Sequence, residues 1–346
     1  MTHIAIVLPA YNEELTVAAT IEDFFQQLPN ASVWVINNRS TDATEQIARE
    51  TLQRLRCVGG VVNESRPGKG NAVRRALLDI DADVYVLADA DLTYPASDVH
   101  ALLRPVLAGD ADMVVGDRHS QGQYAAENKR ALHGFGNRLV RGLVNRLFGA
   151  NLADIMSGYR VFNRRFVKSY PILVEGFEIE TDMTLHALDK RFRIVEIPSD
   201  YRDRPDGSFS KLNTVKDGVR VVSTIWNILR YYRPMLFFGG CAAIFALMGL
   251  IAAMPVISDW LREQYIYHVP LAILATGLEL VAVAFGSIGL ILDSISQQDR
   301  RHFELELLRM THPACVQSEQ PDFAAAEPLP LGVIDATSEN NVRSSL

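Results

Sequence analysis

The stretch Val84-Tyr85-Val86-Leu87-Ala88-Asp89-Ala90-Asp91-Leu92-Thr93-Tyr94-Pro95 decides how this chain folds. Its first four residues are an uninterrupted apolar run, the pattern of a strand buried on both faces of a parallel sheet. Two carboxylates follow where the strand gives way to a loop. In open α/β sheets, ligands sit just beyond the carboxyl ends of the strands. An Asp pair placed there suits a hard divalent cation shared with a diphosphate. Taken in isolation, an Asp-x-Asp is more often a solvated acidic turn, so the rest of the chain has to decide.

Upstream, strand-like and helix-like stretches alternate. Ile4 to Leu8 reads as a first strand ended by Pro9, and Asn12 caps a helix from Glu13 to about Gln27. Val33 to Ile36 is a second strand. Asp42, with Glu45 three residues on, forms a capping box for a helix through Leu55. Val58 to Val62 is a third strand, and Gly68-Lys69-Gly70 opens a helix ending near Asp79. Downstream come a helix around Ser97 to Leu107 and a strand at Asp112 to Val115. The series predicts an α/β fold with a Rossmann-like, mostly parallel sheet covered on both faces.

A helical stretch from Asn128 to Phe148 carries Arg130, Arg138, Arg141 and Arg146. Then follow Asp154-Ile155-Met156-Ser157-Gly158-Tyr159-Arg160, an acidic cluster from Glu178 to Asp182 opening another helix, and a strand from Ile194 to Pro198. Residues 1–212 are thus expected to form one domain. Over 213–234, Val215, Val219, Val222, Trp226 and Leu229 make an apolar helical face beside a basic one, the pattern of an interfacial helix. Residues 235–257 and 270–292 are apolar runs long enough to span a bilayer, which takes about 20 residues. Lys216, Arg220, Arg230 and Arg233 precede the first run, and Arg300 and Arg301 follow the second. The positive-inside rule therefore puts the α/β domain and both termini on the cytoplasmic side of a cell inner membrane, with two passes. Glu279, near the middle of the second run, is a costly residue there and suits a subunit contact, so a homo-oligomer through this hairpin is a possible arrangement. Residues 311–346 read as a disordered tail.

With 346 residues the chain holds an ample core, and its net charge of −7 argues against a nucleic-acid surface. Cys57, Cys241 and Cys315 have no metal-ligand spacing, as suits a reducing compartment. The N-terminus enters a strand directly, so no cleaved signal peptide is expected.

The strand-end segments are Pro9-Ala10-Tyr11-Asn12-Glu13, Asn37-Asn38-Arg39-Ser40-Thr41-Asp42, Arg66-Pro67-Gly68-Lys69-Gly70-Asn71-Ala72 and Asp89-Ala90-Asp91. Neither a P-loop nor a dinucleotide fingerprint is present among them. Together with Ser157-Gly158-Tyr159-Arg160, the Glu178 to Asp182 cluster and Ser210-Lys211-Leu212, this ordered set resembles family 2 glycosyltransferases of the GT-A fold. Within the family it is similar to the group of dolichyl-phosphate mannose synthases and bacterial polyprenyl-phosphate glycosyltransferases.

The resemblance implies a membrane-anchored hexosyltransferase taking a UDP- or GDP-linked sugar to a polyprenyl phosphate with inversion, using Mg²⁺ or Mn²⁺. It implies that Pro9, Tyr11 and Glu13 border the base and ribose, with Asn38 and Lys69 near the base. Asp89, Ala90 and Asp91 would face the diphosphate, with Asp89 and Asp91 at the metal. On the acceptor side, Arg118, Arg130, Arg138, Arg204 and Lys211 are candidates for a cationic clamp. A phosphate nucleophile, with its second pKa of about 6, needs no strong base. A hydroxyl acceptor would need one, for which Asp182 and then Glu180 are the candidates beside Asp91. Two departures stand out: Asn37-Asn38 where relatives carry Asp, and Thr93 where they carry Gln. A processive polysaccharide synthase would carry Q-x-x-R-W, which is absent. A non-catalytic membrane scaffold is the remaining alternative.

Overall fold

The computed structural model describes residues 2–119, 131–176, 178–202 and 225–311. Among the described residues, seven strands form one sheet in the order β3-β2-β1-β4-β6-β5-β7. They are β1 (Ile4–Ala10), β2 (Ser32–Asn37), β3 (Gly59–Asn63), β4 (Val84–Leu87), β5 (Met113–Asp117), β6 (Arg160–Asn163) and β7 (Ile194–Pro198). The neighbours β3-β2-β1-β4 and β5-β7 pair in parallel, while β6 runs antiparallel to both β4 and β5. The sheet is therefore mostly parallel, as the alternating pattern predicts. β6 was not legible as a strand: it has four residues and begins with Arg160, a charged side chain buried completely.

Between the strands lie α1 (Val17–Gln27), α2 (Thr44–Leu55), α3 (Lys69–Asp79), α4 (Val99–Leu107), α5 (Ala131–Phe148), α6 (Arg164–Ser169) and α7 (Ile179–Asp189). One core layer packs Val17, Ile21, Phe24, Leu52, Leu102 and Val106 against one sheet face. A second packs Val73, Ala76, Phe166, Ile179 and Met183 against the other. With both faces covered, the short strands carry apolar residues at successive positions.

Two helix starts differ from expectation. α1 begins at Val17, because Asn12 adopts a left-handed φ of 55° and Glu13 to Thr16 form a turn closed by Val17 N donating to Glu13 O at 2.9 Å. At α2, Asp42 Oδ1 does accept from Thr44 N at 3.0 Å, but Glu45 does not reach back to close a capping box. It binds Asn37, Asn63 and Arg49 instead.

Residues 225–232 are helical, whereas 203–224, with most of the expected interfacial helix, lie outside the described residues. Then come α8 (Pro234–Glu263) and α9 (Val269–Thr311), each long and apolar enough to cross a membrane. They pack on each other: the Phe245 and Phe285 rings stack at 5.5 Å, and Gly249 leaves room for the Glu279 carboxyl. Most of their apolar side chains are exposed, which is not how a core helix of a soluble protein behaves. α9 continues well past the expected end of the second apolar run. The compact unit ends at Leu307, and of the second unit the described part is the last turn of α9. The expected tail from 312 onward lies outside the described residues.

Candidate active site

The first three strand-end segments each carry a residue in the left-handed backbone region, Asn12 (φ 55°), Arg39 (φ 61°) and Gly68 (φ 118°), and the fourth is followed at once by one, Leu92 (φ 64°). For a residue as bulky as Leu this conformation is costly, of order 1–3 kcal/mol, and persists only where the surroundings enforce it. Here the enforcement is a ring of cross-links. Asn12 N donates to Ser40 Oγ at 3.0 Å and Thr41 N donates to Asn12 Oδ1 at 2.8 Å, joining the first loop to the second. Asn38 joins the second to the third, accepting from Gly68 N at 2.8 Å and donating to Arg66 O at 2.6 Å. Thr16 Oγ1 donates to Ala90 O at 2.8 Å, tying the first to the fourth. Lys69 Nζ stands 2.5 Å from Asp89 Oδ1 and closes the ring.

Lys69 also meets Glu180 Oε1 at 2.6 Å. Burial pushes the ammonium pKa down, but the Asp89 and Glu180 carboxylates outweigh it, so Lys69 is held charged well above the usual lysine range. The resemblance put Lys69 near the base; the structure puts it between Asp89 and the start of α7. Gly158 completes this corner, since a methyl group there would stand 3.0 Å from Lys69 Nζ and 3.1 Å from Asp89 Oδ2. Tyr94, buried, accepts from Gly158 N at 2.8 Å through its hydroxyl.

Asp91 is 2 % exposed, and its Oδ1 accepts from Thr93 Oγ1 at 2.6 Å and from Thr93 N at 3.2 Å. Thr93, standing where relatives carry Gln, thus orients the second carboxylate. Ala90 is buried, Pro9 and Glu13 are half-buried, and Tyr11 is exposed at the rim. Glu13 N donates to Thr44 Oγ1 at 2.8 Å, so the first loop also rests on α2. Asn37 is occupied by Ser40, Glu45 and Asn63. Asn38 therefore braces two loops, while Asn37 ties its own loop to α2 and to the end of β3.

On the other side, Arg118 forms a two-pronged pair with Asp154, Nε to Oδ2 at 2.7 Å and a terminal nitrogen to Oδ1 at 3.0 Å. Burial opposes the Asp154 charge, yet Arg118 prevails and keeps that carboxyl below the usual range. The guanidinium also lies 5.6 Å from the Tyr201 ring centroid. Arg118 is thus a built-in part of the wall. Arg160 supports the same loop from within, donating to Ser157 O at 2.8 Å, Ile155 O at 2.9 Å and Thr184 Oγ1 at 3.0 Å.

Asp182 follows Glu180 by two residues, which on a helix turns it roughly 200° away. It accepts from the Tyr170 hydroxyl at 2.6 Å, and burial pushes its carboxyl pKa up. The structure therefore brings Glu180 to Asp89 and directs Asp182 to Tyr170. Arg138 is exposed on α5; Arg130, Arg204 and Lys211 lie outside the described residues. Tyr201 was not singled out from the sequence, whereas Tyr94, Asp154 and Gly158 stand within stretches that were, without a role of their own.

Residues 5–170 match the family model described as glycosyl transferase family 2. The chain is 32 % identical over 309 residues to the glycosyltransferase AglJ of Haloferax volcanii, covering 88 % of this chain and 98 % of that protein. It is 28 % identical over 222 residues to the dolichyl-phosphate hexose transferase of the same organism, covering 64 % of this chain and 92 % of that protein. Its fold is similar to glucosyl-3-phosphoglycerate synthase from Mycobacterium tuberculosis, with a TM-score of 0.51 at 23 % identity over 66 % of this chain and 78 % of that one. The sheet order, the cross-braced loops around Asp89 and a match that runs nearly end to end agree: this chain is a glycosyltransferase of the GT-A fold and belongs to the family 2 glycosyl transferases.

Proposed function

We propose that this enzyme moves a sugar, a hexose in our reading, from a nucleotide-sugar donor to a polyprenyl phosphate at the cytoplasmic face of a membrane, with inversion. One observation carries the reading: the strand-end loops close on Asp89 through Lys69 and Glu180 in a chain that also bears two apolar, largely unburied helices. The similarity to a protein named dolichyl-phosphate hexose transferase supports the acceptor class. The basic residues flanking α8 and α9 support a cytoplasmic head on a two-pass anchor.

Asp89 and Asp91 fit a divalent cation such as Mg²⁺ or Mn²⁺. They are hard oxygen donors one residue apart at a strand end, and Asp89 keeps about a quarter of its side chain exposed. Among the described residues no set of three His, Cys, Asp or Glu gathers to complete a metal cage. That suits a cation whose remaining positions are filled by diphosphate and water. Its chemistry would be to offset charge on the departing diphosphate. The solved neighbour similar in fold is described in complex with Mn²⁺ and UDP, which supports a divalent ion in general.

The chain's own residues do the rest. Lys69 keeps the reaction edge from accumulating unopposed carboxylate charge before the donor arrives. Thr93 fixes Asp91, and the braced loops hold the backbone ready, so little ordering remains to be done on binding. A phosphate acceptor brings an ionised nucleophile, which agrees with an Asp182 committed to Tyr170 and a Glu180 committed to Lys69. Arg118, fixed by Asp154, shapes the acceptor wall in this reading, and Arg138 on α5 remains a candidate for the acceptor phosphate.

The test is a panel of UDP- and GDP-sugars incubated with the full-length protein, Mg²⁺ or Mn²⁺, and undecaprenyl or dolichyl phosphate. Formation of a glycosyl phospholipid is expected; transfer only to a sugar hydroxyl would refute the acceptor. Asp91→Asn keeps an oxygen for Thr93, so melting within about 2 °C of wild type is expected together with a loss of roughly 100-fold or more in turnover. Unchanged turnover would remove Asp91 from the chemistry.

A further inference from the structure

The second apolar helix does not stop where its apolar run stops. Beyond Leu292, α9 carries on to Thr311, and Arg300, Phe303 and Leu307 recur at spacings of three and four on one stripe. All three meet the catalytic head. Phe303 and Leu307 are buried members of the core layer that contains Phe166, Ile179 and Phe192. The Phe303 ring stands edge-on to His186 at 5.6 Å and to Phe192 at 5.9 Å. Arg300 donates to Asp189 Oδ1 at 2.9 Å from Nε and 2.5 Å from a terminal nitrogen. Lys190 Nζ lies 2.5 Å from Asp299 Oδ2, 3.4 Å from Asp189 Oδ2 and 5.0 Å from the Phe303 ring centroid.

Exposed ion pairs count for little. The Arg300–Asp189 pair differs, because Asp189 is only 9 % exposed and the apolar contacts of Phe303 and Leu307 continue the head's own core. Their position matters more. Asp189 ends α7, and Glu180, which holds Lys69 beside Asp89, begins it. One short helix thus joins the membrane helix directly to the reaction edge. From Leu292 to Phe303 the helix rises about 16 Å, and from His186 back to Glu180 along α7 about 9 Å.

We propose that the extension of α9 is a rigid standoff: by clamping α7 through Arg300 and Phe303 it sets the height and facing of the Lys69, Asp89 and Glu180 edge above the bilayer. Arg300 and Phe303 are then positioning residues for an acceptor anchored in the membrane. This inference rests on the lipid-phosphate reading given above.

The experiment uses full-length protein in phospholipid nanodiscs with two acceptors: undecaprenyl phosphate in the bilayer, and a short-chain prenyl phosphate dissolved in water. Arg300→Glu and Phe303→Ala are each expected to lower kcat/KM for the bilayer acceptor at least tenfold while changing the soluble acceptor less than twofold. Combining Asp189→Arg with Arg300→Glu should restore most of the loss, as should Phe303→Leu in place of Ala. Equal losses on both acceptors, or no loss on either, would overturn the proposal. If wild type transfers to neither phosphate, the lipid-phosphate reading itself has failed. The standoff is then judged by spin labels at Leu107 on the head and Tyr265 between the apolar helices, in a cysteine-free background. A single narrow distance that broadens with Arg300→Glu supports it, and an unchanged distribution overturns it.

Discussion

Replacing Lys69 with Met leaves Asp89 and Glu180 facing each other with the ammonium between them gone. Both carboxylates lie on one nitrogen, at 2.5 and 2.6 Å, so their oxygens are no more than about 5 Å apart. At an effective dielectric of about 20, two unit charges at that separation repel by roughly 3 kcal/mol. Asp89 is about a quarter exposed, and solvent screening reduces the figure to about 2 kcal/mol. For a folded unit of this size each kcal/mol moves the melting point by about 2–4 °C, so Lys69→Met should melt roughly 5 °C below wild type. Methionine has nearly the length of the lysine stem, which keeps the packing contribution small. Adding Glu180→Gln removes one of the two charges and should return at least half of the loss. Thermal unfolding of the detergent-solubilised protein, followed by tryptophan fluorescence, reads both variants. If the double variant is no more stable than Lys69→Met alone, the loss is one of packing and the charge argument is refuted.

His186 and Gly70 give further tests. Burial among aromatic rings, then the Lys190 charge, lowers the His186 pKa from 6.5 to about 4. The unfolded chain therefore binds the extra proton first, and stability should fall as the pH drops from about 6.5 towards 4, by on the order of 3 kcal/mol from this residue. His186→Leu should remove that share of the slope in denaturant midpoints measured at pH 7 and pH 4; identical slopes would count against it. Gly70→Ala would place a methyl group 2.2 Å from the backbone oxygen of Val174, so a loss of about 1–3 kcal/mol is expected. Because Lys69 is the adjacent residue, turnover should fall as well, and a wild-type melting curve with wild-type turnover would contradict both statements.

Much of this was legible in the chain because its parallel strands are plain apolar runs and its carboxylates fall just past them. β6 was not: Arg160-Val161-Phe162-Asn163 offers two apolar residues between two polar ends, and its buried guanidinium is satisfied by oxygens of its own loop and Thr184. In the site, Asp89, Asp91, Lys69 and Glu180 were all identifiable as types, but the bond from Lys69 to Glu180 joins residues far apart in sequence and has no local signature. The same holds for Asn38. Its departure from the usual Asp reads as a lost contact, whereas the amide supplies both the donor and the acceptor that brace two loops. The stripe of Arg300, Phe303 and Leu307 was present in the letters, yet only the packing against α7 distinguishes it from an ordinary charged helix leaving a membrane.

The reversed direction of β6 has a consequence for how such an enzyme can diversify. β5 ends at the reaction edge, and because β6 runs the opposite way it begins there too. The whole excursion from Arg118 to Tyr159 therefore leaves from and returns to the same rim, anchored at its two feet by one ion pair, Arg118 with Asp154. Its later part stays tied to the head, through Val140, Val144 and Ile155 against Leu185, Ala153 and Asp154 on Glu196, and Gly158 beside Lys69 and Asp89. On the proposed reading, this excursion would carry acceptor choice while the strand-end loops hold the donor. Exchanging 119–153 for a relative's segment while keeping Arg118 and Asp154 would show whether the acceptor changes with it.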